Sequence, residues 1–116
     1  MTIHYHGTPI TPAAQLARMA GEHFCVSFYR PDNADVCESI GQSVLWDNGA
    51  FSHWTRGGAV NEPALYAWLE QRLYHPHRAV VLDVIDAPVE VQQEALKRWP
   101  FPRDLSWPVW HLDKPL

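Results

Sequence analysis

The feature that most constrains this chain is an alternation. Short strand-type runs are separated by segments with helical spacing and helix-boundary residues. Ile3-His4-Tyr5-His6, Phe24-Cys25-Val26-Ser27-Phe28, Ser43-Val44-Leu45-Trp46, Ala79-Val80-Val81-Leu82 and Pro108-Val109-Trp110-His111-Leu112 read as strands, over spans 2–6, 23–29, 43–47, 79–84 and 108–112. Four helical segments fall between them. Thr11 and Pro12 open the first, with Leu16, Ala17 and Ala20 as its apolar face and Gly21 as its stop. Asp32 is expected to cap a short second helix in which Val36, Cys37 and Ile40 face inward before Gly41. Asn61 caps the clearest helix, where Leu65, Trp68, Leu69 and Leu73 recur at helical spacing. Asp86 and Pro88 open the fourth, with Val91, Ala95 and Trp99 on one side.

Strand and helix in turn predict parallel βαβ units with right-handed crossovers. The nearly all-apolar run Ala79–Leu82 suits a strand buried on both faces. The expected fold is therefore α/β, a mainly parallel five-stranded sheet with flanking helices in one domain spanning 1–116. An open covered sheet and the first five strands of a (β/α)8 barrel both fit. A closed barrel needs roughly 200 residues or more, so the second architecture makes this chain the amino-terminal portion of a longer barrel. Either way the sheet has bare edges. A homo-oligomer is expected to cover them, a two-fold dimer burying Trp107 and Trp110 beside the last strand being the simplest.

Charge removes some classes of partner. Nine Lys and Arg are scattered among thirteen Asp and Glu, for a net charge of −4, and form no basic run. Nucleic-acid binding is thus expected only with additional chain, because backbone affinity comes from clustered positive charge. No apolar run is long enough to cross a bilayer, and Met1-Thr2-Ile3-His4 offers no basic or apolar leader region, so no membrane partner and a cytoplasmic location are expected. Cys25 and Cys37, in strand and helix, are expected as buried reduced thiols.

In parallel α/β folds the carboxyl ends of the strands carry function. Here those ends hold His4 and His6, Ser27, Asp47, Asp83 with Asp86, and His111 with Asp113. Asp86 reads as a helix cap and Asp113 as a solvated charge. Asp47 and Asp83 each follow an apolar strand, and a carboxylate there must be solvated, paired or used. Both are expected to face one cleft, with His4 or His6 beside them.

The segment Asp47-Asn48-Gly49-Ala50-Phe51-Ser52 resembles the Asp-Ser-Gly-Gly-Phe-Gln segment of the tRNA-guanine transglycosylase-like superfamily, which includes phage relatives that handle 7-deazaguanine bases. Asp83, in Val81-Leu82-Asp83-Val84, looks similar to an Asp that this family places on a later strand. The resemblance covers roughly residues 44 to 86. It implies that Asp47 handles protons and recognises a base, that Gly49 and Ala50 let the backbone approach it, and that Phe51 packs beneath. It also implies that Asp83 accepts hydrogen bonds from the base edge. Asp47, Asn48, Gly49, Ala50, Phe51 and Asp83 are then the substrate-binding set, the ligand is a nucleobase or nucleoside-type small molecule, and no cofactor is expected. The family's nucleophilic Asp, its Gly-rich segments and its zinc cluster have no counterpart here, so base exchange would need further chain.

Two other readings remain open. His4 and His6 with His111, together with Asp47 and Asp83, supply donors that suit zinc, which would make the protein a metal-dependent hydrolase. Trp54, Trp107 and Trp110, in or beside loops, could form the surface of a non-catalytic interaction module. Tyr74-His75-Pro76-His77 reads as a turn.

Overall fold

The computed structural model describes residues 3–108. They form five strands, β1 (Tyr5–Gly7), β2 (His23–Ser27), β3 (Ser43–Asp47), β4 (Arg78–Val80) and β5 (Ser106–Trp107). Five α-helices accompany them: α1 (Ala13–Ala17), α2 (Ala34–Ile40), α3 (Ala50–Thr55), α4 (Glu62–Glu70) and α5 (Val89–Arg98). The strands pair in chain order β1-β2-β3-β4-β5, every pair parallel. The expected α/β class and parallel sheet are what the chain forms. Among the described residues β1 and β5 share no ladder, so the described sheet is open.

Side chains alternate across a strand, so the pairing register assigns each residue a face. His6, Phe24, Val26, Val44, Trp46, Ala79 and Ser106 share one face. There Phe24, Val26, Val44, Trp46 and Ala79 join Leu16, Cys37, Leu65 and Leu69 from the helices in one buried cluster. Burying a side chain of this size stabilises by about 1.5–3 kcal/mol. Trp46 anchors the cluster: it has no exposed surface, its indole N–H donates to the Arg72 carbonyl at 3.1 Å, and its ring meets Trp68 at 5.2 Å. The Arg72 guanidinium lies 5.8 Å from the Trp46 ring and 5.6 Å from the Trp68 ring.

The other face carries Tyr5, His23, Cys25, Ser27, Ser43, Leu45, Asp47, Arg78, Val80 and Trp107. Tyr5 and Trp107 sit on the first and last strands, yet their rings meet edge to face at 6.0 Å. The sheet therefore curls strongly, with this face inside the curl and the helices outside.

Several boundaries differ from the sequence reading. α3 was not expected, and it takes Trp54 out of the loops. The ladder of β4 ends at Val80, although Val81 and Leu82 remain buried and the Val81 N–H still donates to the Trp107 carbonyl at 2.9 Å. β5 lies at Ser106–Trp107 rather than at 108–112; Pro108 is outside the strand, and 109–112, with Trp110, lie outside the described residues. Pro12, with an extended ψ of 167°, is the N-cap of α1, so Thr11 lies one residue too early to cap it. Asp32 pairs with Arg30 at 3.3 Å instead of capping α2. Asn33 takes the cap position and accepts from the Ile10 N–H at 2.7 Å. Asn61 caps α4 as read, accepting from the Ala64 N–H at 3.1 Å. Val36 is exposed because Ala34 and Cys37, three apart, occupy the inward stripe. Val91, in the opening turn of α5, is exposed too, and Asp86 adopts a left-handed φ of 61° before the helix rather than capping it.

Candidate functional site

Asp47 ends β3 on the inner face, with Ser27 as its register partner on β2. The chain then turns through Asn48 and Gly49 into α3. Gly49 has a φ of +74°, and a Cβ there would lie 2.9 Å from the Tyr29 nitrogen and 3.0 Å from the Tyr29 Cβ. Only glycine fits without strain. Its N–H donates back to Asp47 Oδ2 at 3.1 Å, a turn stabilised by the aspartate's own side chain.

Asn48 is almost fully buried and ties this turn to the end of β4. Its Nδ2 donates to the Val81 carbonyl at 3.0 Å and reaches the Val80 carbonyl and Asp83 Oδ1 at 3.4 Å each. Its Oδ1 accepts from the Ala50 N–H at 2.8 Å. Both ends of the amide are thus engaged inside the protein, and Asn48 fixes Asp83 relative to Asp47.

The result is one cleft of about 290 Å³ lined by Asp47, Asn48, Phe51, Ser52, Val80, Asp83 and Ile85. Asp47 and Asp83 share it. Phe51 stands 64% exposed at its side, a large apolar ring available to a ligand. Gly49 and Ala50 do not line this cleft: Gly49 is closed in by Tyr29, and Ala50 faces a smaller neighbouring cleft of about 140 Å³ with Trp54, Val60 and Leu82. The close approach that Gly49 permits is therefore between two loops of the protein itself.

Burial pushes the Asp47 carboxyl above the usual carboxylate range, and the Asp83 charge pushes the same way. Hydrogen bonds from the Gly49 N–H, the Ser27 hydroxyl and the Asn48 N–H pull it partly back. On the same face, burial raises the Cys25 thiol to about 11, with Asp47 adding to the rise. Cys37, packed in the core, is likewise raised to about 11 by burial. Both cysteines are free. The cleft thus presents carboxylate acceptors between apolar walls, one of them inclined to hold a proton.

The histidines expected beside the carboxylates are elsewhere. His6 shares a face with Phe24, their rings 6.3 Å apart, and its Nε2 meets Glu22 at 3.3 Å. Strand alternation therefore sets it on the sheet face opposite Asp47. His4 lies against His6, ring centroids 4.6 Å apart. His111 and Asp113 lie outside the described residues. Among the described residues no three His, Cys, Asp or Glu side chains converge as a metal site. His77, in the turn before β4, accepts from the Val44 N–H at 2.9 Å through Nδ1, and burial lowers its pKa. It is a structural acceptor for the sheet.

Ser52, Val80 and Ile85 were missed in the sequence. The first sits on the unexpected helix α3, and the other two are apolar residues indistinguishable from core until the curl exposes them. No family model matches the chain, and comparison with known proteins and with solved structures finds none that is similar. No helix among the described residues is long and apolar enough to cross a membrane.

Proposed function

We propose that the cleft at the ends of β3 and β4 binds a flat heterocycle rich in hydrogen-bond donors, of which a guanine or 7-deazaguanine base is the best-fitting class. The observation that carries this reading is the pairing of Asp47 and Asp83 in one cleft with Phe51 at its side. A guanine-type edge offers a ring N–H and an amino group, which two carboxylates can accept, while an aromatic side chain covers the ring face. The motif resemblance of residues 47–52 points to the same ligand class. In this reading Asp47 accepts from, or exchanges a proton with, the base, Asp83 accepts from its edge, and Asn48 is a positioning residue. Base exchange at a nucleic acid or nucleoside would draw its nucleophile from further chain. Self-association along the open edges of β1 and β5, and action in the cytoplasm, belong to the same proposal; light scattering at micromolar concentration tests the first, with a single-chain mass counting against it.

Calorimetry with guanine, 7-deazaguanine and adenine tests the ligand. Guanine-type bases are expected to bind at one site, adenine at least tenfold more weakly, and Asp47→Ala is expected to abolish the preference. Equal binding of adenine, or no binding of any base, would overturn the reading.

A further inference from the structure

The opposite end of the inner face holds a second cavity, of about 250 Å³, with the reverse chemistry. Each strand contributes one lining residue: Tyr5 from β1, His23 from β2, Ser43 from β3, Arg78 from β4 and Trp107 from β5. Gln42 joins them, and among the described residues no carboxylate lines the cavity. Tyr5 meets Trp107 at 6.0 Å and His23 at 5.7 Å, so aromatic edges form one wall. Arg78 is held in place, its Nη1 donating to the carbonyls of Pro76 at 3.2 Å and His77 at 2.9 Å. Its Nη2 has no hydrogen-bond partner among the described residues, and neither do the Tyr5 hydroxyl or the Gln42 side-chain amide. His23 Nδ1 shares a hydrogen bond with the buried Ser43 hydroxyl, which orients the ring and leaves Nε2 for another partner.

We propose that this cavity binds an oxyanion carried on a small aromatic ring, an aryl phosphate or aryl carboxylate. A fixed guanidinium with an unused N–H edge matches the geometry of either oxyanion, and His23 and Gln42 add donors. Tyr5 and Trp107 take the ring through offset or edge contacts. The volume lies just below the usual range for small-molecule sites, which limits the ligand to about one ring and one anionic group. The site does not depend on the base-binding reading of the other cleft.

The test is a residue-resolved NMR titration of the full chain with phenyl phosphate and, separately, benzoate, with benzyl alcohol and inorganic phosphate as single-feature controls. At least one ring-bearing oxyanion is expected to give saturable shifts concentrated at Tyr5, His23, Ser43, Arg78 and Trp107. Both controls are expected to bind at least tenfold more weakly, and the tighter of the two oxyanions identifies the anionic group. Arg78→Gln is expected to weaken binding at least tenfold, while the exposed Val36→Ser leaves it unchanged. Absence of saturable shifts, shifts centred elsewhere, or benzyl alcohol binding as tightly would overturn the proposal. The wild-type shift map decides it even where Arg78→Gln does not fold.

Discussion

The same two strands present entirely different surfaces on their two sides. Outward, β2 and β3 carry Phe24, Val26, Val44 and Trp46, none with exposed surface, under a layer of helices. Inward, beside Leu45, they carry His23, Cys25, Ser27, Ser43 and Asp47, groups that line or approach two clefts. The difference teaches where stability and chemistry are kept apart. Outer residues gain by leaving water. An inner residue such as Asp47 is held partly dehydrated, with its charged form disfavoured, which is a cost to the fold and an asset to a binding site.

Substitutions on the outer face should produce the largest effects. Phe24→Ala and Trp46→Ala are each expected to lose about 3–5 kcal/mol in urea unfolding, enough to unfold a marginal domain. A loss below about 1 kcal/mol would mean that the helices do not depend on this face. Next comes Gly49→Ala, where the left-handed backbone costs about 1–2 kcal/mol and the contact with Tyr29 adds to it. Its unfolding midpoint should drop while Val36→Ala, on an exposed surface, stays within about 0.5 kcal/mol of the parent. His77→Ala should cost about 1–3 kcal/mol by leaving the Val44 N–H without its acceptor. Because burial lowers the His77 pKa in the folded state, its contribution is present above about pH 6.5 and is lost as pH falls below that. The deficit of His77→Ala relative to the parent should therefore shrink as pH falls from 7 to 5, and a deficit equal at both pH values would contradict the buried neutral imidazole.

Much of this division was legible beforehand because alternation in a strand and periodicity in a helix are local properties. Leu65 and Leu69 were readable from spacing, and Asn61 from cap chemistry. Asp47 and Asp83 could be placed together because parallel strands deliver their carboxyl ends to one edge. What stayed hidden depended on curvature or on nonlocal partners. His6 reads like a strand-end ligand until its register with Phe24 turns it outward. Asp32 and Asn33 suit caps equally well, and the choice was made by Arg30 and by the distant Ile10 N–H. The ring of Tyr5, His23, Ser43, Arg78 and Trp107 assembles only because the sheet curls, so no window of sequence contains it.

A smaller effect is expected within the inner face. The Cys25 thiol, raised to about 11 partly by Asp47, should react slowly with alkylating reagents at pH 8 and faster in Asp47→Asn, where the opposing charge is gone. Identical rates in the two proteins would show that Asp47 does not act on that face.

Asp47→Asn also gives the most direct test of the central claim, when guanine binding and stability are measured on the same preparation. An unfolded aspartate titrates near 3.9, and the folded Asp47 titrates higher, so the folded state loses stability as pH rises from about 4 through the folded pKa. Removing the carboxyl removes that loss. The expected result is a urea midpoint at pH 7 equal to or above the parent's, with the advantage fading toward pH 4, and guanine binding weakened at least tenfold. A variant that is less stable at pH 7 and still binds guanine like the parent would contradict the account.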